Sequence, residues 1–409
     1  MKIAMFTDAY YPRINGVAVS VKSYSEVLAE LGHEVCIVCC NYPSQDSTDD
    51  CDDKVIETDY TNEKVKIIRI LSHHVFISAE DRMAKLSQWR TLKHEMDEYK
   101  PDIIHINSEF LIGYYGLTYG RFRKVPIVYT FHTLWEDYVK GYIKFVPETA
   151  SKKLAKDLIK LYLKKADEII CPTNRIADVV KRYNVLRPTD ILPTGIPNDI
   201  AKISETENSA FLTKFYEQDF PKLKGKRILL YVGRVVREKN LEFLFTVLAQ
   251  VQKTMPDTAL LIVGGGPGLE TLREKTVLEN VQDSIFFTDY VTREDLKYSY
   301  HLADLFVFPS LTETQGLVTI EAMMTGLPVV AIGEMGTLDV MQGNNGGFMV
   351  SNNVDEFSGS VLKLLNDKEL YKLKAEEAKA WSQKWDITHL THKLVTLYQK
   401  AQQFQNVNS

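Results

Sequence analysis

Cysteine is scarce in this chain: five residues in 409, at positions 36, 39, 40, 51 and 171. An odd number without regular spacing argues against a disulfide framework and suits a reducing compartment. Cys36 and Cys39 form a CxxC, but inside the apolar run VCIVCC, and no second Cys or His pair stands at zinc-ligand spacing. That context favours buried strand thiols over metal or redox chemistry. Long apolar runs are missing too, since none approaches the roughly 20 residues of a membrane span. The opening MKIAMFTDAYYP enters a strand pattern at once, without the basic stretch and apolar core of a signal peptide. A large excess of one charge sign is absent: 49 Lys+Arg against 54 Asp+Glu leaves a formal charge of −5. A mildly acidic total argues against a dedicated nucleic-acid binder and leaves local basic patches open.

What is present is a soluble globular composition, 45% hydrophobic and 25% charged, long enough for two or three domains. Short β-branched runs alternate with longer amphipathic stretches. Strand candidates are 2–7, 34–40, 65–70, 102–107, 125–131, 168–172 and 190–193, followed by 227–233, 258–264, 284–288, 304–308 and 328–332. Most are near-continuous apolar runs, as parallel strands buried on both faces require. Helical periodicity covers 17–31, 83–99 and 239–253. Two such series predict an α/β protein of two doubly wound, Rossmann-like parallel-sheet domains, 1–197 and 198–385. A last helix, 386–409, is expected to cross back to the first domain. Segment 43–63, with eight acids and one Lys, reads as an exposed loop. Ligands of such sheets bind beyond the carboxyl ends of the strands, and a cleft between two such domains is the default site.

A nicotinamide-cofactor reading fails, because TDAYYPRINGV after the first strand lacks GxGxxG and Leu269 stands where GGGPG at 264–268 needs its third glycine. Asn15-Gly16-Val17 opens a helix after that strand. It is either an ordinary βα turn or a place where backbone amides approach an anion. GRVVREKN offers Arg234 and Lys239 after a strand, as a guanidinium fork and a point charge for phosphate or as solvated surface cations. Arg237 and Glu238 are expected to face solvent. In SLTETQGLVTIEAMMTGLPVVA, 310–331, a helix starts near Gly316 and Leu317 with Glu313 before it and Glu321 inside it. Carboxylates accept from vicinal hydroxyls, so two of them flanking an anion-binding helix start suit sugar, diphosphate and ribose in that order. The plainer alternative has Glu313 capping the helix and Glu321 pairing with a cation. His132 ends an apolar strand, placed to donate to a substrate hydroxyl or to serve structure. His105 reads as a packing residue, and His73 and His74 as non-catalytic.

Segment 138–165 carries eight Lys and two acids. In SKKLAKDLIKLYLKK the spacing sets Leu154, Leu158, Leu161 and Tyr162 on one stripe and Lys153, Lys156, Lys160 and Lys164 on another. That is the pattern of a membrane-surface helix or of a domain helix with leucines facing the core. Segment 82–93, RMAKLSQWRTLK, adds basic charge beside Trp89.

Taken in order and spacing, MKIAMFTDAYYPRINGV, GRVVREKN, GGGPG and the run from Glu313 to Glu321 resemble retaining glycosyltransferases of family 4, which have the GT-B fold of two domains facing across a cleft. The match spans nearly the whole chain. The resemblance implies that the glycine loop at Gly16 and Val17, with Arg234 and Lys239, binds the donor diphosphate. It also implies donor contacts from Gly264, Gly265, Tyr290, Thr314, Gln315, Gly316 and Leu317. By the same resemblance Glu313 holds the hexose, Glu321 the ribose, and His132 touches the hexose near the reaction centre. No cofactor and no metal are implied, the two cations taking the place of a divalent ion. FHTLWEDYVKGY, TETQGL and the basic helix are similar to the bacterial branch that glucosylates diacylglycerol. Thr314-Gln315 departs from the Phe-Gly of many members and weakens inference about the hexose. The implied partners are UDP-glucose or UDP-galactose, a lipid acceptor and an anionic membrane surface, but not nucleic acid. The implied location is the cytoplasmic face of the cell membrane. A soluble or polysaccharide-directed transferase and an inactive sugar-nucleotide-binding module remain the alternatives. Asp8 and Asp137 are the speculative candidates for a carboxylate nucleophile.

Overall fold

A computed structural model of the chain describes residues 1–13, 15–42, 64–75, 78–132, 148–278, 281–313 and 315–408. The acidic segment 43–63, the stretch 133–147 with Asp137, and Thr314 lie outside these residues. The chain divides into two compact units, Met1–Gly195 with Ile387–Ser409, and Ile196–Asp386.

The first unit contains β1 (Lys2–Phe6), β2 (Glu34–Cys40), β3 (Val65–Ile70), β4 (Ser72–Val75), β5 (Ser78–Ala84), β6 (Ile103–Ile106), β7 (Ile127–Thr130), β8 (Glu168–Cys171) and β9 (Thr189–Ile191). Seven of them form one sheet in the order β3-β2-β1-β6-β7-β8-β9, every pair parallel. Its helices are α1 (Gly16–Glu30), α2 (Trp89–Tyr99), α3 (Leu111–Arg123), α4 (Glu148–Lys165) and α5 (Asn174–Arg182). Residues alternate between the two faces of the strands. Ala4, Phe6, Cys36, Val38 and Cys40 join the core on one face, and Ile3, Met5, Val35, Ile37 and Cys39 the core on the other. Cys36 and Cys39 therefore point to opposite sides of the sheet. Burial pushes their thiols up to about 12 and about 11, so they are inert apolar filling.

The expected helix 83–99 starts only at Trp89. Before it runs β5, paired antiparallel with β4. The hairpin is tied to the end of β2: Ser72 donates from N–H to Asn41 Oδ1 at 2.8 Å and from Oγ to the Asn41 carbonyl at 2.7 Å. Arg82 is buried there, its Nε donating to Ser72 Oγ at 2.8 Å and Nη2 to the Ser72 carbonyl at 3.0 Å. Arg82 is thus part of an internal network and adds nothing to a basic surface.

The second unit contains α6 (Glu205–Lys214), β10 (Arg227–Val232), α7 (Leu241–Gln252), β11 (Thr258–Val263), α8 (Leu269–Leu278), β12 (Ile285–Asp289), α9 (Arg293–Leu302), β13 (Leu305–Phe308), α10 (Leu317–Thr325), β14 (Val329–Ile332), α11 (Gly336–Val340), β15 (Gly347–Val350), α12 (Val354–Asn366) and α13 (Lys368–Ser382). Its six-stranded sheet is ordered β12-β11-β10-β13-β14-β15, again with parallel pairs. Strand β15, GFMV, completes an edge that the sequence pattern does not announce.

The last helix, α14 (Ile387–Asn408), belongs to the first unit. Leu390, Leu394, Leu397, Tyr398 and Ala401 are buried in one core cluster with Val21, Tyr24 and Leu28 of α1. At about 1.5–3 kcal/mol for each large apolar side chain buried, the helix supplies a substantial part of what holds that sheet face closed.

Candidate active site

Each sheet has one switch point, where the order of strands reverses. In the first sheet it falls beside β1, which lies between β2 and β6. In the second it falls beside β10, between β11 and β13. Loops at the carboxyl ends of these strands are where an open α/β sheet holds its ligand.

In the second unit the loop after β10 begins at Gly233, where φ is 151°. Gly264, φ 131°, closes on it so tightly that a Cβ would lie 2.2 Å from the Gly233 carbonyl oxygen. Only glycine fits such an approach of two backbones. Beside them, a Cβ on Gly265 would lie 2.4 Å from the ring of Tyr290, so that exposed ring rests on the glycine. Arg234 is exposed, and its carbonyl accepts from the Tyr231 hydroxyl at 3.1 Å. Lys239 ends a short turn and reaches inward. Its Nζ pairs with Glu313 Oε2 at 2.7 Å and donates to Ser310 Oγ at 3.3 Å. The structure therefore unites the Lys of GRVVREKN with the first Glu of the later motif. Arg237 and Glu238 face solvent.

Helix α10 starts on Gly316 in the left-handed conformation, φ 65°, with no side-chain cap. Leu317 is its first residue, and Gln315 is half-buried before it. Uncapped N–H groups at a helix start attract an anion. The Glu313 carbonyl accepts from the Gly336 N–H at 2.7 Å, which ties this loop to α11. Glu321 is buried, its carboxylate accepting from the Tyr300 hydroxyl at 2.8 Å and pairing with Arg293 Nη1 at 3.2 Å. Burial and that carboxylate raise the Tyr300 hydroxyl well above its ordinary range, so it stays a donor.

In the first unit Asn15 caps α1, its Oδ1 accepting from Ala18 N–H at 2.8 Å. Gly16 is exposed, Val17 is half-buried, and a Cβ on Gly16 would meet nothing within 4 Å. The protein's own packing thus does not require glycine at that position. Asp8, just past β1, is buried. Its carboxylate accepts from Ser108 Oγ at 2.5 Å and from Ile112 N–H at 3.1 Å. Burial lifts it to about 6 against those hydrogen bonds. Holding the start of α3 and the end of β6, Asp8 is a strut and not a free nucleophile. His132 follows β7 and is buried, its Nε2 3.1 Å from Asn107 Oδ1. Burial lowers it to about 4, so it is neutral at pH 7. His105 spends both ring nitrogens inside the unit, Nδ1 at 2.8 Å from the Tyr398 hydroxyl and Nε2 at 2.7 Å from Thr130 Oγ1, as a packing residue does.

Lys153, Lys156 and Lys164 are exposed on α4, and Lys160 is half-buried. Of the expected stripe, Tyr162 is buried and Leu161 packs against the core. The face turned to the core carries Ile159, Tyr162 and Leu163, whereas Leu158 is 37% exposed. Among the described residues no helix is long and apolar enough to cross a membrane.

Asn107, Ser108 and Glu109 escaped the sequence reading. They form a polar step straight after the apolar strand IIHI, with Glu109 buried and accepting from the Tyr129 hydroxyl at 2.5 Å. Three polar residues at the end of a buried strand were the available signal.

Comparison with known proteins bears on the family and the fold. Residues 14–199 match the family described as "Glycosyltransferase Family 4", and residues 213–381 the one described as "Glycosyl transferases group 1". The alpha-monoglucosyldiacylglycerol synthase of Streptococcus pneumoniae is 32% identical over 81% of this chain and 71% of its own. That of Acholeplasma laidlawii is 29% identical over 86% and 85%. The crystal structure of Anabaena HepE in complex with UDP and glucose superposes with a TM-score of 0.73 at 16% identity, covering 97% of this chain and 98% of that one.

Proposed function

The chain belongs to glycosyltransferase family 4 and has the GT-B fold, and on that premise we propose that it moves a hexose, glucose in the first instance, from a UDP-sugar to a membrane lipid such as diacylglycerol with retention of the α configuration. The observation that carries this reading is the cluster at the switch point of the second sheet. There a buried-side lysine, its glutamate partner and an uncapped helix start lie within one loop system, with a second glutamate one and a half turns further on. A donor diphosphate would lie against Arg234, Lys239 and the first N–H groups of α10. Its ribose would meet Glu321 and its hexose Glu313. Gly264, Gly265 and the Tyr290 ring would border it.

With Asp8 committed to α3, front-face attack is the favoured route. The acceptor hydroxyl bonds to the anomeric carbon as the bond to the diphosphate breaks, and its proton passes to the leaving phosphate. The protein's part is then to stabilise charge growing on that phosphate through preorganised donors. Arg234 and Lys239 supply positive charge that a divalent ion would otherwise bring, so the reaction is proposed to need no metal. The lipid acceptor is supported by the likeness to two alpha-monoglucosyldiacylglycerol synthases and by the exposed lysines and Leu158 of α4.

Radiolabelled UDP-glucose and UDP-galactose, each offered with diacylglycerol, monoglucosyldiacylglycerol and a soluble polysaccharide, test the reading. The expected result is an α-linked glycolipid from UDP-glucose, undiminished by EDTA. Transfer to the polysaccharide alone would move the assignment to a soluble acceptor, and loss of activity in EDTA would overturn the metal-free chemistry.

A further inference from the structure

The contact between Asn107 and His132 has a consequence for hydrogen-bond direction. Asn107 is 4% exposed, and its N–H donates to the Phe6 carbonyl at 2.8 Å, which fixes it at the switch point of the first sheet. Its Nδ2 donates to the His105 carbonyl at 3.5 Å, so Oδ1 is turned to His132 Nε2, 3.1 Å away. An amide oxygen only accepts, and the proton of that bond must sit on Nε2. Burial keeps the imidazole neutral, so the ring carries that one proton and no other. Nδ1 is left with its lone pair and has no partner among the described residues. His105 differs, because both its nitrogens are engaged.

We propose that Asn107 is a positioning residue for His132, fixing its Nε2–H tautomer so that the ring meets a substrate hydroxyl as an acceptor through Nδ1 and not as a donor. This rests on the reading of His132 as a substrate-contacting residue, and it reverses the direction of the bond expected from sequence. A hydroxyl that donates to Nδ1 has its proton pointed away from its other neighbours, and its lone pairs stay free for donors elsewhere. An analogue whose hydroxyl is replaced by fluorine can accept but not donate, and would leave Nδ1 unpaired.

The test uses the full chain labelled with 15N-histidine and long-range proton–nitrogen correlation spectra recorded without substrate, His132 being assigned by its absence in His132→Gln. The expected result is a pyrrole-type Nε2 and a pyridine-type Nδ1 for His132. Asn107→Asp, which keeps an acceptor oxygen, should retain that pattern. Asn107→Leu should average the two nitrogen shifts and lower kcat roughly tenfold or more, with KM for the donor little changed, since it disturbs orientation and not binding. A protonated Nδ1 in the wild type, or an Asn107→Leu protein with unchanged shifts and kcat, would overturn the proposal. If Asn107→Leu does not fold, the wild-type and Asn107→Asp spectra decide. Because the spectra need no substrate, the predicted tautomer in a protein that transfers no hexose would defeat the proposed function and leave the hold of Asn107 on His132 intact.

Discussion

Replacing Glu313 by Gln should make UDP bind more tightly while slowing transfer. In the free protein the Lys239 ammonium is already neutralised by Glu313 at 2.7 Å, with the two side chains 13% and 21% exposed. A diphosphate that draws on Lys239 must share it with that carboxylate, and the carboxylate repels it. Exposed ion pairs contribute about 0.2–1 kcal/mol, and removing one partner of a fully buried pair costs about 3–5 kcal/mol. A pair of intermediate burial should weigh in at about 1–2 kcal/mol, which is a 5- to 30-fold change in Kd. Glu313→Gln should therefore tighten UDP by roughly that factor. Given the proposed hold of Glu313 on the hexose, the variant's kcat should fall. Lys239→Ala should weaken UDP by more than its own contact, since it leaves Glu313 facing the diphosphate uncompensated, and the double variant should regain part of the loss. Titration calorimetry with UDP on the wild type, both single variants and the double variant closes the cycle. If the two effects add to within about 0.5 kcal/mol, or if Glu313→Gln weakens UDP, the shared-counterion argument is wrong.

Other expectations follow from the same geometry. Lys153, Lys156 and Lys164 changed together to Glu should release the protein from anionic vesicles, each basic residue being worth about 1 kcal/mol at such a surface. Binding that survives at moderate salt would remove α4 from the membrane assignment. Leu158→Asp should leave Tm nearly unchanged because the side chain is 37% exposed, whereas Ile159→Asp, 1% exposed, should unfold the first unit; equal Tm losses would mean the helix face is misread. Gly264→Ala should destabilise strongly through its clash with Gly233, while Gly16→Ala should fold normally and transfer poorly, and a Gly16→Ala enzyme with full activity would contradict close ligand approach there. Glu168 on β8 is lifted to about 8 by burial, opposed by Lys400 and aided by Asp190. Its folded-state value lies above the unfolded one, so its contribution to stability is complete below about pH 4 and is lost as pH rises through about 8. Melting curves from pH 5 to 9 should show Tm falling by several degrees in the wild type and less in Glu168→Gln, and parallel slopes would refute the assignment.

Much of the fold was legible because parallel strands buried on both faces must be apolar throughout: KIAMF, EVCIVCC, RILLYV and TALLIV could hardly be anything else. The hairpin of β4 and β5 was not, since SHHV and SAEDRMA draw their order from Arg82 and Ser72, a contact between polar groups that periodicity ignores. The same residues blurred the start of α2, where AKLSQWRTLK continues a helical rhythm back into the strand. In α4 the spacing gave the helix and put Tyr162 on the buried face, but it passed over Ile159 and Leu163, which fill the core while Leu158 stays exposed. The site divides the same way. Gly264, Lys239 and Glu313 stood out as residue types in the loops after strands, and Glu321 inside the helix that follows one of them. The pairing of Lys239 with Glu313, 74 positions apart, and the grip of Asn107 on His132 are properties of folded space alone.

The placement of α14 in the first unit reverses the order of maturation during synthesis. The second unit is continuous in sequence and can close its core as soon as it has left the ribosome. The first unit cannot, because the helix bearing Leu390, Leu394, Leu397 and Tyr398 is translated after all of Ile196–Asp386. At roughly 5–20 residues per second, that wait lasts on the order of 10–40 s. Through it, Val21, Tyr24 and Leu28 of α1 lack their cover, and a nascent chain in this state presents an apolar face to chaperones. The half made first is thus the half finished last.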